Sequence, residues 1–346
     1  KRHKLSEICS FYSGGTPSSS KKEFYNGNIP FIRSGELHKD KTELFITEDG
    51  LNSSAAKLVE IGDLLLALYG ATSGDIAISK IKGAINQAIL CIRTKQNKKF
   101  IESVWNKHVE RLLQTYLQGG QGNLSADIVK NIPFYFADLE EQDKLANFIS
   151  LLDERISTQN KIIEKLETLI KGIVETVISS QKPNTLIKNC LECNSSTLQE
   201  SQVAETGTFP VYGATDISGY TETAGINGES ILIIKDGSGV GTVKFVSGEY
   251  SYIGTLNSLT AKDGYCLKYI YFALQRFSFE PYKTGMAIPH IYFKDYGKAK
   301  IYCPSFSLQT LIAQKLSLIE NKMEVEKRII LCYQLQRSYL LSRMFI

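Results

Sequence analysis

At 346 residues, with 43% hydrophobic and 22% charged residues, the chain is too long for one ordinary core and suits two domains of about 100–150 residues plus connecting elements. No apolar run approaches the roughly 20 residues that cross a bilayer, and seven scattered cysteines, an odd number, fit a reducing cytosol better than a disulfide framework, so a cytoplasmic protein is expected. The net charge of +4 is mild, so any nucleic-acid partner requires the positive charge to be gathered on one face.

The chain begins at Lys1 without a methionine, which points to a short leader missing from the sequence. Short β-rich runs alternate with helical stretches such as 100–117 and 266–278, an α+β pattern rather than regular βαβ units. The strongest periodic signal starts at Leu145 and runs Ile149, Leu152, Ile156, Gln159, Ile163, Leu166, Ile170, Ile173 and Val177 in steps of four and three. This is a heptad seam with one polar rung. From Gln142 to Ile178 such a helix spans about 55 Å. Asp138 with Glu141 three residues later reads as its N-cap and capping box, while Ser179, Ser180 and Pro183 close it.

Shifted by 167 positions, the seam recurs as Ile312, Leu316, Ile319, Met323, Glu326, Ile330, Tyr333, Arg337, Leu340 and Met344. Both copies turn polar at the same rung. Only six of 37 aligned residues are identical, among them Gln142/Gln309 and Ala146/Ala313, so shared register is the stronger sign of duplication. Two narrow apolar stripes in one chain can cover each other as a coiled coil.

The segments before the helices repeat more faintly. "DLLLALYGATSGDIAI" (63–78) and "SILIIKDGSGVGTVKF" (230–245) share strand, glycine turn and strand, with Gly70 and Gly74 meeting Gly237 and Gly241. "GAINQAI" (83–89) pairs with "GTLNSLT" (254–260), setting Asn86 opposite Asn257. "IPFI" (29–32) faces "FPVY" (209–212), and "KLSEICS" (4–10) faces "TLIKNCL" (185–191), pairing Cys9 with Cys190 as small buried positions. The expected order is a first globular domain over 1–137, a helical region over 138–180, a second globular domain over 181–304 and a second helical region over 305–346.

Motifs that suggest chemistry have simpler explanations. "DGSGVG" (236–241) lacks a Gly-Lys-Ser/Thr ending and leads into a strand, so a hairpin turn explains it better than a phosphate loop. "CLEC" (190–193) has no second cysteine pair and no histidine at ligand spacing, so no metal is expected. "NIPF" at 28–31 and 131–134 lacks the first proline of the methyltransferase Asn-Pro-Pro-Phe loop, and no glycine-rich cofactor turn accompanies it. No catalytic residues are expected. What remains is a set of polar and aromatic loops at 18–28, 31–41, 115–123, 210–220 and 280–294, carrying side chains that bind phosphates and base edges.

The start "HKLSEICSFYSGGTP", the approach "GGQGNLSADIVKNIPF", the helix "LEEQDKLANFISLLDERISTQNKIIEKLETLIKG" and the second round from "FPVYGATDISGYTE" resemble the specificity subunit of type I restriction-modification systems over essentially the whole chain. The second copy departs from Glu141-Gln142 with Leu308-Gln309, and Ala137 stands where the second copy keeps Pro304. The resemblance implies a non-catalytic subunit with two target recognition domains, the globular domains above, separated by two long antiparallel helices that give the chain pseudo-two-fold symmetry. Each domain reads half of a bipartite DNA target, while the helices set the gap and dock two methylation subunits, which in turn carry restriction subunits. No cofactor is expected in this chain; S-adenosylmethionine, ATP and Mg2+ would belong to the partners. On that reading Lys21, Lys22, Tyr25, Arg33, Gln121 and Asn123 in the first domain, and Tyr212, Thr215, Lys235, Lys283, Thr284 and His290 in the second, line the DNA face. Lysines hold phosphates, while Arg33, Gln121 and Asn123 reach base edges. Two other readings fit the same pattern: a specificity subunit whose partner is a fused methyltransferase-nuclease, and a duplicated helical scaffold that binds protein rather than DNA.

Overall fold

A computed structural model describes residues 1–117, 123–285 and 287–344. The chain forms two compact units, Lys1–Gln159 with Ile329–Ile346, and Asn160–Arg328. In the first, β1 (Arg2–Lys4), α1 (Leu5–Ile8), β2 (Cys9–Ser13), β3 (Tyr25–Ile32), β4 (Phe45–Ile46), α2 (Glu48–Asn52), β5 (Lys57–Val59), β6 (Leu64–Ala67), β7 (Ile76–Ile78), β8 (Gly83–Ile85), β9 (Ile89–Thr94), α3 (Lys98–Leu117), α4 (Ala126–Asn131) and β10 (Pro133–Tyr135) precede the long helix α5 (Leu139–Val174). The sheet order β2-β9-β6-β7 makes β6 an inner strand, and its Leu64-Leu65-Leu66-Ala67 run is buried throughout. Successive side chains of a strand point to opposite faces. Leu64 and Leu66 accordingly join a core with Phe100, Ile101, Val104 and Trp105 of α3, whereas Leu65 and Ala67 join Ile32, Val59 and Ile85 from the smaller sheet β4-β3-β8-β5.

The second unit follows the same plan. Its elements are β11 (Thr185–Leu186), α6 (Ile187–Cys190), β12 (Leu191–Ser195), β13 (Phe209–Tyr212), β14 (Ile217–Thr221), β15 (Ile226–Ile234), β16 (Val243–Tyr252), β17 (Leu256–Ala261), α7 (Leu267–Gln275), α8 (Phe293–Tyr296), β18 (Lys300–Ile301) and α9 (Phe306–Met344). The antiparallel order β12-β17-β15-β16 matches β2-β9-β6-β7, and the parallel pair β13–β16 matches β3–β8. Leu64 faces Ile92 as Ile231 faces Leu259, an offset of 167 on both strands. At the parallel strands Phe31 corresponds to Val211, an offset of 180, so the path from Phe31 to Leu64 in the first head is 13 residues longer than that from Val211 to Ile231 in the second.

This register corrects one expected pairing. Leu66 faces Leu90 and Ile233 faces Asn257, so Asn257 corresponds to Leu90 and not to Asn86. Asn86 instead shapes a turn, its Oδ1 accepting from the Ala88 N–H at 3.1 Å. The similarity of the two seven-residue strings is a four-residue slip against the ladder. The same register corrects a second pairing: Cys9 faces Thr94 and Leu191 faces Ala261, so Cys9 corresponds to Leu191, and Cys190, which is fully buried where Cys9 is half-buried, corresponds to Ile8.

Both glycine repeats are hairpin turns. Gly74 and Gly241 each donate back to the strand, to the Ala67 and Ile234 carbonyls at 2.9 Å. Their φ values of +88° and +90° lie in the left-handed region, where a Cβ is unfavourable. Each also lies against the core: a Cβ would stand 2.9 Å from Val109 Cγ2 at Gly74 and 3.0 Å from Phe279 Cβ at Gly241. Trp105 fixes the first turn further, its Nε1–H donating to the Gly74 carbonyl at 2.7 Å.

The Glu141 N–H donates to the Asp138 carboxylate at 2.9 Å, the N-cap of α5. After Val174 the helix passes into a π turn over Glu175–Ser179. Every seam position from Leu145 to Ile173, and from Ile312 to Met344, is buried or half-buried. Val177 departs from the expectation: it is exposed, while Val174 and Ile178 are buried. There α5 leaves the seam and turns its face to the core of the second unit, beside Ile187 and Ile270.

Contacts inside each unit fix the helix direction. In the first, Leu145, Ala146 and Ile149 share a core with Leu341 and Met344, and Arg337 Nε donates to Asp153 at 2.5 Å. In the second, Ile170, Val174 and Ile178 pack with Ile312, Ala313 and Leu316. The beginning of α5 thus meets the end of α9, and its end meets the beginning of α9, an antiparallel pairing.

A buried glutamine joins helix to head in both copies. The Gln142 side-chain amide donates to the Ala137 carbonyl at 2.9 Å and its oxygen accepts the Asn97 N–H ahead of α3 at 3.1 Å. Gln309 does the same with the Pro304 carbonyl at 2.9 Å and the Cys266 N–H ahead of α7 at 3.0 Å. Replacing either with alanine removes the partner of a half-buried N–H and a half-buried carbonyl, and each group left unsatisfied costs about 1–3 kcal/mol. Gln142→Ala and Gln309→Ala are each expected to lose roughly 2–4 kcal/mol in urea unfolding; a change no larger than that of a surface Gln→Ala control contradicts the clamp.

Candidate nucleic-acid interface

In each head one polar segment lies beside the glycine turn, ending at Asn123 in the first and at His290 in the second. In the first head the Leu68 N–H donates to the Ala88 carbonyl and the Leu68 carbonyl accepts from Leu124 at 2.9 Å. In the second, Lys235 donates to Thr255 and accepts from Ile291 at 2.9 Å. All three residues are related by the offset of 167. Asn123 and His290, each just before the bonded residue, therefore occupy equivalent positions next to their turns.

In the second head the structure brings together Lys235, Thr284 and His290. Thr284 and His290 exchange backbone hydrogen bonds at 2.9 and 2.8 Å, the Gly237 N–H donates to the Pro289 carbonyl at 3.0 Å, and the His290 ring meets Tyr292 edge-on at 5.2 Å. Lys283 lies one residue before this bridge but is ion-paired with Glu280. Tyr212 closes β13, edge-on to Tyr250 at 5.6 Å and under the Lys244 ammonium at 4.7 Å, and Thr215 is exposed in the turn that follows.

In the first head Lys21 and Lys22 are exposed ahead of β3, with Lys21 over the Phe24 ring at 5.0 Å. Tyr25 is half-buried and its hydroxyl donates to the Pro17 carbonyl at 2.6 Å. Arg33 follows β3 in the loop equivalent to the one that follows Tyr212, but its fork grips Glu36 at 3.0 and 3.2 Å. Burial pushes the Glu36 carboxyl up, and hydrogen bonds from Arg33 and Thr42 outweigh it, holding the group below the usual carboxylate range. Arg33 is thus first a brace for its own loop. Asn123 is exposed, and Gln121 lies outside the described residues.

His38 and Asp75 were not singled out in the sequence, because 37 residues separate them. His38 Nε2 and Asp75 Oδ1 stand 2.8 Å apart, tying the 38–43 loop to the first glycine turn. Lys39, Lys41 and Lys80 border a recess of about 490 Å³ there, with Asp40 and Glu43 on its rim. Among the described residues no three His, Cys, Asp or Glu side chains gather as metal ligands, and no helix is long and apolar enough to cross a membrane.

Two heads of one topology, each presenting a polar loop beside a hairpin turn and packed on antiparallel helices, define a duplicated two-headed protein. A family model, the type I restriction modification DNA specificity domain, matches residues 1–168 and 189–331, and the chain belongs to that family. It is 27% identical over 173 residues to the EcoR124I/EcoR124II specificity subunit of Escherichia coli, covering 47% of this chain and 42% of that one. It is likewise 27% identical over 177 residues to the MjaIX specificity subunit of Methanocaldococcus jannaschii, covering 47% and 40%. The chain thus spans about two fifths of the length of these relatives. The EcoprrI specificity subunit of Escherichia coli aligns over 92% of the chain and 86% of its own length at 21% identity. The crystal structure of a type I restriction-modification S subunit from M. genitalium shares the fold over 100% of this chain and 96% of that one, with a TM-score of 0.72 at 18% identity.

The hydrogen bond to Asp75 raises the His38 pKa and outweighs burial, which lowers it. The ion pair therefore holds below that raised pKa and is lost as pH rises through it. By NMR, His38 is expected to titrate above the ordinary imidazole value of about 6.5, and Asp75→Asn to lower its titration; an unchanged titration in the variant contradicts the pairing.

Proposed function

We propose that the chain is the DNA-reading specificity subunit of a type I restriction-modification enzyme and has no catalytic role of its own. Each head reads one half of a bipartite target, and α5 with α9 sets the gap between halves. The observation that carries this reading is the repetition of one loop constellation, Asn123 beside the first glycine turn and His290 beside the second, on a duplicated fold of a DNA specificity family. The twelve loop residues named from the sequence are the proposed contacts. Lys22 and Lys235 hold phosphates, while Asn123 and His290 face base edges.

Two methylation subunits dock on the helices, and restriction subunits join through them. An outer stripe of α9 supports docking: Leu311, Leu318 and Val325 recur every seven residues and stay exposed. S-adenosylmethionine, ATP and Mg2+ act on those partners, and the complex works in the cytoplasm. No observation favours a fused methyltransferase-nuclease partner or a protein-binding scaffold over this reading.

Binding of cognate and random duplexes tests the roles. Asn123→Ala is expected to cost about 1–3 kcal/mol on the cognate site alone, and Lys22→Ala to weaken both duplexes alike. Equal loss on both duplexes for Asn123→Ala contradicts base reading. Adding one heptad to both helices is expected to lengthen the tolerated gap and leave the half-sites unchanged; altered half-sites with an unaltered gap contradict the ruler.

A further inference from the structure

The two heads differ in charge. Residues 1–137 hold 18 Lys and Arg against 13 Asp and Glu, whereas residues 181–304 hold 11 of each. Position sharpens the difference. Of the 11 cations in the second head, Lys244, Lys268, Arg276 and Lys283 are ion-paired with Asp216, Glu320, Glu175 and Glu280. Five more cluster away from the reading loops. Lys182, Lys188, Lys298 and Lys300 lie on or beside the β11–β18 ladder that leads into α9, and Lys262 joins them by donating to the Lys188 carbonyl at 3.1 Å. That leaves Lys235 and Lys294. In the first head Lys21, Lys22, Lys39, Lys41 and Lys57 are all exposed, and among the described residues none has a carboxylate within ion-pair distance, while Lys95, the equivalent of Lys262, is set aside with it.

We propose that the first head supplies most of the phosphate-holding charge, and that the second reads its half-site with few ionic contacts. The inference rests on the DNA-reading function above. A duplex attracts the chain through released counterions in proportion to the phosphates neutralised, independently of sequence. A neutral head gains little from that term, so its hold on DNA depends on base complementarity and on being tethered to the charged head. The first head then anchors the complex, and the second discriminates once delivered to its half-site.

Salt dependence of binding tests this with the full chain purified together with its methylation subunits. One variant changes Lys21, Lys22, Lys39 and Lys41 to alanine; the other changes Lys188, Lys235, Lys262 and Lys294. Each phosphate contact contributes about 0.9 to the slope of log Kobs against log salt, so the first variant is expected to flatten the slope by about 3 to 4 and the second by less than about 1. Ethylation of single phosphates on the wild-type target is expected to block binding mainly along one half-site. Equal flattening by the two variants, or interference spread evenly over both halves, overturns the asymmetry while leaving DNA reading intact. A wild-type complex whose binding to duplex DNA does not vary with salt overturns both.

Discussion

Each long helix carries an apolar stripe too narrow to serve as the face of a globular core, and water drives it to find a matching stripe. A seam repeating every seven residues keeps one face of each helix apolar, and within each unit α5 and α9 pack in opposite directions. Leu145 and Ile149 meet Leu341 and Met344 in one unit, and Ile170 and Val174 meet Ile312 and Leu316 in the other. The core of each head is completed by residues from both helices. A head cannot lose its helix partners without opening its own interior, which couples the loops of the head to the helix pair.

The heads are attached by a small and repeated device. Gln142 and Gln309 are almost wholly buried, and each spans from the segment leading into its long helix to the start of the helix that backs the sheet. Because a buried amide tolerates little misalignment of its partners, the angle of each head on its helix is set by hydrogen bonds rather than by packing alone. Sequence diverges around this joint while the glutamine persists in both copies.

The seam was legible because heptad periodicity depends only on which residues are apolar. Strand, glycine turn and strand were legible for a similar reason, since the backbone needs glycine at Gly74 and Gly241 whatever surrounds them. Asn86 and Asn257 misled because a match of short strings carries no information about ladder register. The exposure of Val177 follows from the end of α5 leaving the seam for the second core. The grip of Arg33 on Glu36 depends on a short 3-10 turn that brings residues three apart into contact, and the His38–Asp75 pair depends on tertiary folding; neither leaves a periodic trace. The roles of Gln142 and Gln309 were hidden in plain identity, visible as a match but not as a joint.

On the proposed DNA-reading function, two similar heads of different charge carried on one helix pair imply a split target. Direct sequencing of methylated adenines in cells carrying this chain with its partner subunits tests that most plainly. The account predicts two short half-sites around a gap of constant length. A single uninterrupted motif, or half-sites found at many different separations, would contradict it.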